Sequence, residues 1–105
     1  MLARATEFTF LPDGMKSGDN DQEHFAVKVK FRAPGMFAVT NMGDCWNGSE
    51  WVHERMPSGR SEEFIAQTRM PLIDALRIAS EVVNGIEVNG STFAGWQARW
   101  ASSAT

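Results

Sequence analysis

The sequence predicts an α+β fold: an antiparallel meandering sheet of about six to eight short strands packed against one main helix at about residues 70–84. Three observations carry that expectation. Residues 71–85 hold the one strong helical period in the chain, residues 24–32 alternate apolar and polar side chains, and Asn-Gly pairs mark tight hairpins before and after the helix. Strands gathered around a single helix, without regular strand–helix alternation, point to α+β layering. At 105 residues the chain reads as one domain, residues 1–105, able to bury roughly two-thirds of its unfolded surface.

Taken in order, residues 6–11 place Phe8 and Phe10 two apart and predict a short strand. Residues 12–23 are rich in Gly, Asp and Asn and predict an exposed loop without fold-critical contacts. In residues 24–32 (HFAVKVKFR), Phe25, Val27, Val29 and Phe31 should point inward, with Ala26, Lys28, Lys30 and Arg32 on the wet side. Ala33-Pro34-Gly35 turns the chain into a second, antiparallel strand at residues 36–41. Residues 44–54 centre on Asn47-Gly48 and predict a hairpin, and residues 62–68 read as a further strand.

In the helix, Leu72, Leu76, Ala79 and Val83 recur at the spacing that stacks side chains on one face. Ala75, Ile78 and Val82 widen that stripe, and Leu76 and Ala79 are expected to face the sheet. Pro71 suits the first helical turn and Asn84-Gly85 a left-handed stop. Ile86 and Val88 then alternate toward Asn89-Gly90. Residues 91–100 fit a strand, which the preceding Asn-Gly favours, or a helix grouping Phe93, Trp96 and Trp100.

Hydrophobic content of 43% and charged content of 22% are ordinary for a globular domain. A net charge of −3 argues against a dedicated nucleic-acid module, which would be basic, and is far too small for a charge mimic of DNA. The single cysteine excludes an internal disulfide and fits a reducing compartment. With no apolar signal-like segment at the N-terminus and no stretch long enough to span a membrane, the expected location is cytoplasmic, with no membrane partner.

Chemistry-bearing patterns are sparse. Asp19-Asn20-Asp21-Gln22-Glu23 begins like a calcium loop, but His24 and Lys30 stand where that loop needs Gly and Glu. Cys45 and His53 flank the Asn47-Gly48 hairpin and could meet as a thiol–imidazole pair. One Cys and two scattered His give no zinc spacing, and phosphate-loop, nucleophile-elbow and paired-carboxylate motifs are missing. No catalytic, cofactor or metal residue is therefore assigned.

Two surfaces stand out instead. Lys28, Lys30 and Arg32 form a candidate anion or nucleic-acid face. Trp46, Trp51, His53 and Arg55 form a candidate partner face, subject to strand parity. If residues 36–46 are one unbroken strand with Phe37 and Val39 inward, the tryptophans point outward. An even-numbered turn at Pro34-Gly35, or a bulge at Gly43, brings them into the core.

The run Gly43…Trp46-Asn47-Gly48…Trp51-Val52, followed by Phe64 and by Ala75…Ala79 on a helix, resembles small orphan proteins of phages and prophages. That resemblance covers roughly residues 36–84 and implies a mobile-element origin and action by binding a host protein. It carries no catalytic residue. The leading expectation is a non-enzymatic protein-binding module, an inhibitor or accessory factor, with a protein partner or a second copy of itself. A single-strand or RNA binder using the basic strand face is the alternative, and a thiol enzyme comes third.

Overall fold

The computed structural model describes residues 7–16, 22–54 and 59–103. Strands β1 (Glu7–Phe10), β2 (Val27–Ala33), β3 (Met36–Asn41), β4 (Asp44–Trp46) and β5 (Trp51–His53) form an antiparallel meander in that spatial order. A second, two-stranded sheet pairs β6 (Glu87–Val88) with β7 (Ser91–Thr92). The helices are α1 (Gln22–Phe25), α2 (Glu62–Thr68), α3 (Leu72–Val82) and α4 (Phe93–Ser103). The α+β class is thus observed, with α3 lying across β2 and β3 as its main helix. Among the described residues no helix is long and apolar enough to cross a membrane.

Strand β2 pairs with β3 so that Val29 faces Val39 and Phe31 faces Phe37. The register slips by one between Phe31 and Ala33, and this extra residue supplies the odd count that puts both apolar sets on one side. Against that side packs a spine of Ala75, Ala79 and Val83, all buried. Leu72, Leu76, Ile78 and Val82 flank it, half-buried. Ala79 thus lies at the centre of the helical stripe as expected, and Leu76 packs against the core at its edge, with Ala75 rather than Leu76 fully buried.

Several expected elements differ, each for a local reason. Residues 62–68 are helical, because Ser61 caps them: its hydroxyl accepts from the Phe64 N–H at 3.0 Å, and Glu62 and Glu63 sit at the positive end of the helix. Residues 93–103 are also helical, with the Thr92 hydroxyl accepting from the Gly95 N–H at 3.2 Å. Phe93 is buried on that helix, and the Trp96 indole donates to the Val88 carbonyl at 2.9 Å. Asn89-Gly90 still turns β6 into β7, both residues at positive φ. Pro71 precedes α3 in extended conformation, and the helix ends by tightening into a 3₁₀ turn at Val83–Gly85, with no left-handed stop at Gly85.

At the other end, Gln22–Phe25 is a helical turn, so the second strand starts at Val27. Phe25 is buried all the same, edge-on to Phe93 at 5.5 Å, whereas Phe31 is exposed. The loop expected to be free of contacts is anchored over its described part. Met15 enters the core, and the Asp13 N–H donates to the Asn84 side chain at 2.8 Å. Asp19, Asn20 and Asp21 lie outside the described residues.

Candidate functional site

Strand parity decides what each surface can do. Residues 36–46 are two strands, because Met42 and Gly43 both take positive φ and make a two-residue hairpin turn. Thr40 then pairs with Cys45, and Trp46 lands on the side of Val39. Trp46 and Trp51 do pair across β4 and β5, edge to face at 5.2 Å, and both pack against the core. Of the two orientations that strand parity leaves open, the tryptophans take the inward one, half-buried against the core. His53 joins the tryptophans' side of the sheet, 3.7 Å from Asp44, and Arg55 lies outside the described residues.

The β4–β5 hairpin separates Cys45 from His53. Cys45 pairs with Val52, one position away from His53, so the thiol and the imidazole point to opposite faces. Cys45 is fully buried beside Glu54. Burial first, and then the Glu54 charge and hydrogen bond, push its thiol up to about 11 against the opposing pull of Arg69. A thiol so placed stays protonated at neutral pH and donates to Glu54, whereas nucleophilic attack needs the thiolate.

The basic strand face divides in two. Lys28 and Lys30 each lie 3.9 Å from one oxygen of the same Glu7 carboxylate on the neighbouring strand, which offsets one of their two charges. Arg32, at the register slip, reaches Glu54 instead through both Nε, at 3.2 Å, and Nη2. Two further arginines meet the same carboxylate. Arg69 Nη2 donates to Glu54 Oε2 at 3.0 Å, and Arg60 Nη2 lies 3.8 Å from it.

The chain brings these four residues together by simple means. Glu54 follows β5, held by its N–H to the Gly43 carbonyl at 2.9 Å. Arg69 ends α2, just before Met70 pairs with Phe37 along the free edge of β3 through two backbone hydrogen bonds. Its guanidinium also donates to the Thr68 hydroxyl at 3.0 Å, which in turn donates to the Phe64 carbonyl. The Arg69 side chain is only 5% exposed and that of Glu54 10%. Burial alone would raise the Glu54 carboxyl, but hydrogen bonds from Arg32 and Cys45 and the charges of Arg32 and Arg60 outweigh it and hold it below its usual range.

Beside this cluster opens a hollow of about 230 Å³ lined by Arg32, Ala33, Met36, Arg60, Ile65 and Arg69. Among the described residues its wall carries three guanidiniums and no carboxylate. Met36 and Ile65 stay 36% and 41% exposed at its rim. Of its members only Arg32 belongs to a sequence pattern. Glu54, Arg60 and Arg69 come from three separate segments and share no period, so only the tertiary fold assembles them. Among the described residues no group of His, Cys, Asp and Glu could hold a metal ion. The chain matches no family model, no curated protein and no solved structure.

Proposed function

We propose that this chain is a non-enzymatic protein-binding module whose contact surface is the rim of the arginine-lined hollow. The carrying observation is the pairing of exposed Met36 and Ile65 with Arg32, Arg60 and Arg69 around one concavity. Arginine and methionine are enriched where proteins touch, and apolar side chains beside a fixed charge supply area and orientation together. An inhibitory or accessory role in a mobile element, expected from the phage-protein resemblance, remains part of this proposal. Nucleic-acid binding is the weaker reading, since the net charge is −3 and Glu7 offsets one of the two charges of Lys28 and Lys30.

The test is affinity capture from a host lysate with the wild-type chain and with Ile65→Asp and Met36→Asp, all with unchanged thermal melts. A protein retained by wild type and lost from both variants supports the module. Retention that survives both substitutions removes the surface, and turnover of any substrate by purified chain removes the non-enzymatic reading.

A further inference from the structure

A second concavity shares no lining residue with the arginine-lined hollow. It measures about 180 Å³ and is walled by Phe25, Val88, Asn89, Trp96 and Trp100. Drug-sized pockets begin at roughly 300 Å³, so this one admits a single small ring system. Its walls are fixed by contacts of their own. Phe25 is buried edge-on to Phe93 at 5.5 Å, and the Trp96 indole is tied to the Val88 carbonyl at 2.9 Å. Trp100 stacks on Trp96 one helical turn away, with centroids 6.3 Å apart, and remains 49% exposed.

Polar groups at this wall are few. The Trp96 N–H is committed to Val88, whereas the exposed Asn89 amide and the Trp100 N–H hydrogen-bond to no other described residue. Asn89 sits in the β6–β7 turn at φ 52, where its amide offers one acceptor and one donor group side by side. No lysine, arginine or carboxylate is among the lining residues.

We propose that this hollow binds the base of a purine nucleoside, stacked on Trp100 and read along one edge by Asn89. Such a base has two apolar faces and a hydrogen-bonding edge, which matches aromatic walls broken by a single free amide. Stacking on an aromatic side chain holds any base, and an asparagine amide fits the adjacent N6 donor and N7 acceptor of adenine. A sugar ring suits the site less. Its hydroxyls point outward all round the rim, and Phe25, Val88 and the indoles would strip them of water without replacing it. A quaternary ammonium is opposed by the Arg99 guanidinium, which lies 4.9 Å over the Trp96 ring.

The experiment titrates the full chain with adenosine, 7-deazaadenosine, uridine, methyl glucoside and single-stranded hexa-adenylate, read by calorimetry and tryptophan fluorescence. Adenosine should bind and quench the fluorescence, with uridine and methyl glucoside at least tenfold weaker. Trp100→Ala should cost adenosine at least tenfold, in line with loss of one base–aromatic stack. Asn89→Gly removes the amide while glycine keeps the positive φ of the turn. In wild type 7-deazaadenosine, which lacks the N7 acceptor, should bind more weakly than adenosine; in Asn89→Gly the two should bind alike. A merely structural asparagine would not erase that difference.

No adenosine binding at millimolar concentration overturns the inference, as does equal binding of adenosine and methyl glucoside. Unchanged adenosine affinity in Trp100→Ala does the same, and where that variant is poorly folded the Asn89→Gly comparison decides. Hexa-adenylate binding tenfold tighter than adenosine and weakening as salt rises would make the ligand a strand, against the nucleoside proposed. Ile65→Asp should leave adenosine binding unchanged, so this site and the arginine rim stand or fall separately.

Discussion

Phe37 and Ala38 are neighbours on β3, yet they look into opposite kinds of environment. Phe37 joins Val29 and Val39 in the apolar core beneath α3, where the stabilisation scales with the area removed from water. Ala38 lies on the side of Lys30, Thr40 and Cys45, where buried polar groups depend on complete pairing. The first face tolerates exchange between side chains of similar volume. The second tolerates little, since taking away one partner leaves the others buried and unmatched. A single short strand therefore serves two interiors with different sensitivities.

The largest expected effect belongs to the apolar face. Phe37→Ala should cost about 3–5 kcal/mol, the usual range for a buried aromatic, read from denaturant unfolding. A loss under about 1 kcal/mol would mean that α3 does not close that face. Glu54→Gln comes next, at about 1.5–3 kcal/mol for lost hydrogen bonds to charged groups. A result larger than that for Phe37→Ala would reverse the ranking of the two faces.

The pH response separates the faces further. Glu54 titrates below its ordinary value of 4.5, so its contribution is present above that pH and is lost as pH falls through the lower folded value. Wild type should lose stability in acid more steeply than Glu54→Gln. Cys45 has the opposite sign. Its thiol is raised from 9.0 to about 11, so stability should decline as pH rises across that window, and Cys45→Ala should lack the decline. Identical alkaline melts for the two proteins would show that the thiol is not held as described. The smallest effect belongs to the wet edge, where Lys28→Ala should shift stability by under about 1 kcal/mol, since its pairing with Glu7 is exposed.

The contrast also explains what the sequence could show. The apolar face is local and periodic: alternation in Val27, Val29, Phe37 and Val39 marks it, as does the stripe of α3. The hairpin at Met42-Gly43 is hidden because methionine rarely adopts positive φ, and that one turn brings both tryptophans to the side of Val39. Residues 62–68, expected as a strand, and residues 93–103, which fit strand or helix, both carry a helical signal, Ser61 and Thr92 at their caps, that short apolar alternation masks. The arginine cluster carries none, because Arg32, Glu54, Arg60 and Arg69 meet only after β3, β4, β5 and α2 are in place.

Among the described residues six large apolar side chains are exposed, of which Ile65 lies beside the arginines and Trp100, at 49% exposure, on α4. Comparing these two tests most directly the claim that the charged face is the working one. Partner retention should be measured with Ile65→Asp and Trp100→Asp side by side, each checked for an unchanged melt. The account predicts that Ile65→Asp loses the partner and Trp100→Asp keeps it; loss in Trp100→Asp with full retention in Ile65→Asp would contradict it.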